Sequence, residues 1–239
     1  MSKFLIYAFL FFIGSTFGWL LEVVFRKFFS KNNPKHIWVN PGFLIGPYLP
    51  LYGSGLVVLF IVSNLQITSL ILKVVLMGAL MTLIEYIVGI YCLKVNNERY
   101  WDYSKEWGNI EGVICPKFTL AWTILCVIYY FLIHPYIIDA IIWLSNNLAF
   151  SFVIGMFYGV FLIDVSHSLE LNKKFKQFAK ENDIVVQLDL LKMEIKERHD
   201  KLNLKHHFFN PLKSEISINE HLKNIKDRAE RIKHKVNGR

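Results

Sequence analysis

Leu83-Ile84-Glu85-Tyr86-Ile87-Val88-Gly89 sits inside an apolar run, residues 69–93, long enough to cross a bilayer, and no basic residue lies one helical turn from the acid. A lone carboxylate at that depth is expensive. It usually faces a bundle interior or a wet cavity and marks a functional site. A second carboxylate, Glu22, lies in a similar apolar stretch.

The rest of the chain suits a bilayer. Of its 239 residues, 54% are hydrophobic and 15% aromatic, too oily for a soluble domain. Five stretches reach the roughly 20 residues that span about 30 Å of hydrocarbon as helix: 4–25, 43–63, 69–93, 118–135 and 148–168. The links after the first and third carry Arg26, Lys27, Lys31 and Lys35, and Lys94, Arg99, Lys105 and Lys117. The other two, around Asn64-Leu65-Gln66 and residues 136–147, carry no Lys or Arg. The positive-inside rule then places the N-terminus outside and the C-terminus inside. The expected fold is an all-α, polytopic helical membrane protein with about five transmembrane helices. No small-residue cleavage pattern follows the first stretch, so it reads as an uncleaved anchor.

Residues 1–171 form the expected transmembrane domain and residues 172–239 a basic cytoplasmic tail. The tail holds 17 Lys and Arg against 10 Asp and Glu, a surplus of seven within a net charge of +8. Such a tail beside a membrane points to anionic lipid headgroups as its partner, not to nucleic acid. Ile184, Leu188, Leu191 and Ile195 form one helical stripe, Asn210-Pro211 breaks it, and Leu222, Ile225, Ala229, Ile232 and Val236 form a second, with a capping box at Ser217 and Glu220. The pattern is a helical hairpin or short coiled coil, a candidate homo-oligomer contact. Cys92, Cys115 and Cys126 show no metal spacing, and neither a disulfide, a metal site nor a cofactor is expected.

Gly14, Gly18, Glu22 and Arg26 recur at four-residue intervals, and Gly78, Thr82, Glu85 and Gly89 repeat the idea. Small residues on one stripe let helices approach closely, so each Glu is either a site or a passenger of packing. Pro41, Gly42, Gly46, Pro47, Pro50, Gly53 and Gly55 crowd the second stretch. Either the helix is broken at membrane depth and lines a cleft open to the cytoplasm, or it begins only near Tyr52 with the Pro and Gly above the membrane. Leu20-Leu21-Glu22-Val23-Val24 resembles Leu83-Ile84-Glu85-Tyr86-Ile87, and Asn40-Pro41-Gly42 resembles Asn109-Ile110-Glu111-Gly112. That pattern suits two parallel repeats with Glu22 and Glu85 in equivalent places. Trp101, Asp102, Tyr103 and Trp107 form either an interfacial aromatic belt or a cap lowering Asp102 over the cleft. Residues 136–143 are too short to span and suit the outer interface.

Taken together, Gly18-Trp19-Leu20-Leu21-Glu22 with Arg26, the Asn40-x-Gly42-Phe43-Leu44-x-Gly46-Pro47-x-x-Pro50-x-Tyr52-Gly53 segment, Glu85-Tyr86-x-x-Gly89, Trp101-Asp102-Tyr103-Ser104, Asn109-x-x-Gly112-x-Ile114-Cys115 and His134-Pro135 resemble the ABC-transporter type IV membrane proteins, the CmpB-like permease family. The resemblance covers residues 3 to 170. It implies a multi-pass protein of the bacterial cell membrane, the membrane-spanning part of a transporter. The resemblance also implies, for many members, a basic residue beside the loop glycines, where this chain has Pro41 and Val113.

Three functions follow from these residues. The first is a permease-like protein whose cytoplasm-facing polar cleft takes a small solute or lipid. Its substrate-binding or proton-coupling residues are Glu22, Arg26, Asn40, Glu85, Trp101, Asp102 and Asn109, with Gly42, Gly46, Pro47, Pro50 and Gly53 as the helix break. No G-x-x-x-x-G-K-[ST] phosphate loop occurs, so ATP hydrolysis requires a separate ATPase subunit. The second is an intramembrane enzyme acting on lipid, with paired carboxylates or Asp164, His167 and Ser168 as its chemistry. The third is a scaffold or regulator acting through the tail.

Overall fold

The computed structural model describes residues 1–30, 33–95, 97–181, 186–201 and 208–209. Among the described residues, four helical stretches are long and apolar enough to cross a membrane: Lys3–Phe28, Leu70–Val95, Pro116–Asn146 and Leu148–Glu170, with a shorter apolar helix, Pro50–Ser63. The protein is an all-α polytopic membrane protein. Helix α1 is Lys3–Phe28, α2 Pro50–Ser63, α3 Leu70–Ile90, α4 Pro116–Ile128, α5 His134–Asn146, α6 Ser151–Glu181 and α7 Leu188–Lys201. Ser2 and Ser69 open α1 and α3 as side-chain caps, and Pro50 and Pro116 sit in the first turns of α2 and α4, where a missing N–H costs nothing.

Helices α1 to α4 pack in chain order, each against the next. Glycine sets the closest approach. A Cβ on Gly14 would lie 3.0 Å from the Tyr52 carbonyl oxygen, and one on Gly53 would lie 2.8 Å from that of Phe11. Between apolar helices in lipid such contact replaces the hydrophobic driving force available in water. One buried cluster joins Leu10, Leu59, Val62, Met77, Met81, Cys126 and Tyr129. Helix α6 packs along α1 through rings, with Phe12 and Phe157 at 4.7 Å and Phe11 and Phe161 at 5.6 Å.

Three expected boundaries are corrected. The second stretch is no full-length helix over 43–63: α2 has 14 residues and starts at Pro50. The fourth does not end at 135. A five-residue π turn, Tyr129–Ile133, carries α4 into α5, and the path reaches Asn146. Pro135 follows the π turn, the combination that bends helices. Ile137 shares a buried cluster with Leu10, and Leu144 shares another with Ala8 and Phe9, so α5 crosses the N-terminal third of α1. The fifth stretch continues as α6 to Glu181, through the point where the sequence changes from apolar to basic.

The segment before α2 returns deep into the bundle. Leu49 N–H donates to the Ser15 carbonyl (2.9 Å), midway along α1. The helix does begin near Tyr52, and the segment ahead of it reaches the middle of α1. Broken backbone at that depth must find protein partners. Asp164 of α6 accepts from Ile45 N (3.1 Å), Gly46 N (2.7 Å) and Tyr48 OH (2.6 Å), and Ser168 donates to the same carboxylate at 3.1 Å. The Asn40 amide donates to the Ile45 carbonyl (2.9 Å) and accepts from Trp19 Nε1 (2.7 Å). Gly42 takes the turn at φ +73°.

The tail packs back onto this segment. Lys192 of α7 is buried and donates to the carbonyls of Asn40 (2.8 Å) and Gly42 (2.6 Å). A two-residue parallel pairing joins Glu98–Arg99 to Val186–Gln187. Leu191 and Ile195 of the expected stripe are buried. Ile184, the break at Asn210-Pro211, the capping box and the second tail helix lie outside the described residues.

Candidate functional site

Two glutamates, one from α1 and one from α3, line one cavity. Glu22 of α1 accepts from Arg26 Nε (2.9 Å) one turn below and from Tyr52 OH (2.6 Å) on α2. Glu85 of α3 accepts from Trp122 Nε1 (3.0 Å) on α4 and from Tyr103 OH (3.2 Å) in the loop that caps the bundle. Each acid thus receives an aromatic donor from the helix that follows its own. Ring contact between Tyr52 and Trp122, centroids 5.5 Å apart, joins the two sets. Between them is a cavity of about 170 Å³, lined also by Gly42 and Leu49 of the re-entrant segment.

The helical period explains the convergence. Gly14, Gly18 and Glu22 lie on the α1 stripe that meets α2, and Gly78, Thr82 and Glu85 lie on the α3 stripe that meets α4. A Cβ on Gly78 would touch Thr123, and Thr82 contacts Thr119. Burial leaves Glu85 only 3% exposed, and an ionised carboxylate there needs its hydrogen bonds. Tyr103 is fixed as the donor. It stacks on Phe118 at 4.1 Å, and burial, followed by Glu85 and Glu22, pushes its phenol far above the ordinary range.

The structure places the other candidate residues elsewhere. Asn40 holds the re-entrant segment, as described above. Asp102 does not reach the cavity: it is bound by Arg99 Nη1 (2.6 Å), Ser104 N (2.9 Å) and the Ser104 hydroxyl. Burial raises its carboxyl, but the Ser104 bonds and Arg99 outweigh that and hold it below its ordinary value. Trp101 donates to the Val113 carbonyl (2.8 Å), and Asn109 ties Ser104 and Glu106 carbonyls to the Gly112 N–H. These residues build the cap, and Tyr103 is the one that reaches in. Gly42 shapes the turn, Gly46 feeds Asp164, Pro47 sits in a bend closed by the Tyr48 N–H on the Gly46 carbonyl (2.9 Å), Pro50 opens α2 and Gly53 serves helix contact.

The loop repeat has a structural counterpart. Asn40 and Asn109 each bind carbonyls of their own loop through the amide, Gly42 and Gly112 each take a positive φ (+73° and +69°), and each loop leads into a helix begun by Pro. Sequence reading missed Tyr52, Trp122 and Lys192 as site or mouth residues. Tyr52 and Trp122 carried a usable signal, an aromatic donor one helix beyond each acid; Lys192, one base among many in the tail, carried none. Asp164, weighed there as an acid of a helical triad with His167 and Ser168, instead holds the re-entrant segment with Ser168, while His167 is exposed.

No curated protein and no solved structure matches the chain. A family described as "Putative ABC-transporter type IV" matches residues 9–169, which takes in α1 from Phe9 onward, α2 to α5, the re-entrant segment, both glutamates and Asp164. With more than half of its length covered, the chain belongs to this family of ABC-transporter type IV membrane proteins.

Proposed function

We propose that the chain is the membrane-spanning, solute-handling part of a transporter, and that the cavity between Glu22 and Glu85 is its binding site. The convergence of the two acids on one space carries the reading. Two carboxylates face one guanidinium there, a balance that attracts cations or proton-donating solutes. In this reading Glu85 exchanges a proton or a substrate contact, Arg26 holds Glu22 in place, and the re-entrant segment is the element that moves. The basic loops orient the cavity toward the cytoplasm. ATP hydrolysis, where it drives the cycle, belongs to a separate subunit.

Lys192 adds a regulatory reading of the tail. Its ammonium sits on the backbone of the segment that lines the cavity mouth, so docking of α7 restrains the same element. The helical-triad form of the enzyme reading has less support, since Asp164 and Ser168 are occupied together and His167 is exposed.

Cysteine accessibility tests the wet cavity. With Cys92, Cys115 and Cys126 replaced by Ala, Ala121→Cys on the cavity wall should react with a membrane-impermeant cationic thiosulfonate applied from the side of the basic loops. Ile124→Cys, on an exposed part of α4 outside the cavity, should not. Glu85→Gln should slow the cationic reagent several-fold more than a neutral one. An unreactive Ala121→Cys in a folded protein overturns the proposal.

A further inference from the structure

The polar cavity does not end at the rings of Tyr52 and Trp122. Those two residues, with Leu21 and Leu125, also line a second space of about 640 Å³. It is a groove between α1 and α4 with Tyr52, Leu56 and Leu59 of α2 as its floor, and its other polar lining is slight. Phe17, Leu20 and Val24 on one wall and Ile128 and Ile133 on the other are exposed, so the groove opens sideways. Along α1 it runs from Ile13 to Val24. Eleven residues of helix rise about 16 Å, close to half of the roughly 30 Å of hydrocarbon. The groove therefore has the depth of one leaflet and one end at a pair of acids.

From these features, and resting on the binding-site reading above, we infer that the substrate is an amphiphile: one hydrocarbon chain lies in the groove while a hydrogen-bond-donating, non-anionic head enters the cavity between Glu22 and Glu85. The head decides selectivity, because a chain moved from lipid into an apolar groove exchanges one hydrocarbon surface for another. The cavity is rich in acceptors. Tyr52, Tyr103, Trp122 and Arg26 each already aim a donor at a carboxylate, whereas each carboxylate has about four lone-pair sites and receives two of these bonds. A head that brings N–H or O–H groups meets unfilled acceptors. A phosphate or carboxylate head meets two carboxylates, the Tyr52, Tyr103 and Trp122 donors are engaged with them, and Arg26 is committed to Glu22 and the Tyr100 carbonyl. Ammonium heads and polyol heads share the favoured chemistry. The sideways opening admits either from the bilayer without passage through water.

The test is native mass spectrometry of the full-length protein in a neutral detergent, titrated with hexadecylamine, monopalmitoylglycerol or palmitate, three single-chain amphiphiles differing in the head. The amine, the glyceride or both should bind at least tenfold more tightly than palmitate; amine alone assigns an ammonium head and glyceride alone a polyol. Glu22→Gln and Glu85→Gln should each reduce that preference several-fold, and Ile133→Trp, which fills the groove, should weaken all three. Equal binding of palmitate by the wild-type protein overturns the inference without recourse to any variant, as does selectivity that survives both acid substitutions. Reactive Ala121→Cys with no amphiphile bound removes the amphiphile and leaves a water-soluble substrate, whereas an unreactive Ala121→Cys removes the binding-site reading itself.

Discussion

Replacing Asp164 with Asn tests whether one carboxylate holds the re-entrant segment in the bundle. Its Oδ1 accepts from Ile45 N and Ser168 Oγ, both at 3.1 Å, and its Oδ2 accepts from Gly46 N (2.7 Å) and Tyr48 OH (2.6 Å). An asparagine keeps one oxygen, best turned to the shorter pair. Its NH₂ then opposes the Ile45 N–H, donor against donor, while Ser168 rotates to accept. The substitution thus takes the charge from two short bonds and leaves a buried N–H unpaired. Bonds to a charged group contribute about 1.5–3 kcal/mol against about 1 for neutral ones, and an unpaired buried group costs about 1–3 kcal/mol. The two bonds lose about 1–4 kcal/mol together and the unpaired N–H adds about 1–3, so the expected loss is about 2–7 kcal/mol. For a chain of this size each kcal/mol moves the melting midpoint by roughly 2–4 °C, so the shift is roughly 4–28 °C. Asp164→Ala, which takes the acceptor from all four donors, should fall further. The assay is thermal melting in mild detergent followed by size-exclusion chromatography. Asp139→Asn, an exposed acid on α5, serves as the control and should stay within roughly 0.5 kcal/mol of wild type. An Asp164→Asn midpoint equal to that of the wild type would refute the assignment of Asp164 as the anchor of the segment.

Two further outcomes follow from the packing and the capping loop. Gly53→Ala should lower the melting midpoint, because its Cβ meets the Phe11 carbonyl at 2.8 Å and overpacking costs about 1–3 kcal/mol, more than the roughly 0.5–1 kcal/mol that Ala adds to a helix; Gly155→Ala, with nothing within 4 Å, should raise it, and the opposite pair of signs would sink the packing account. Glu98 is fully buried, and burial, partly offset by the Tyr100 hydroxyl, raises its carboxyl to about 7. An acid with a raised folded-state value favours the folded form at low pH and loses that stability as pH rises from about 4.5 through 7. Glu98→Gln, which mimics the neutral form, should melt above wild type at pH 8, with the gap narrowing as pH falls and closing only near pH 4.5; a gap independent of pH counts against this.

The sequence by itself determined the solvent and the unit of construction. Apolar runs of span length have no stable alternative to helices in a bilayer, and backbone hydrogen bonds are satisfied within each run. The four-residue spacing of Gly14, Gly18, Glu22 and Arg26, and its echo around Glu85, already placed each acid on a contact stripe. Those facts are local, set by 3.6 residues per turn. Tertiary structure decided what each polar group faces. Asp102 and Tyr103 are neighbours in one loop, yet the first closes on Arg99 and Ser104 while the second reaches Glu85, because the loop's own turns fix which side chain points inward. Asp164 and Lys192 lie far along the chain from the Pro and Gly segment they hold. No pattern within either segment names the other. The depth at which that segment enters was equally hidden, since it depends on donors and acceptors supplied by α1, α6 and α7 and not on the residues that break the helix.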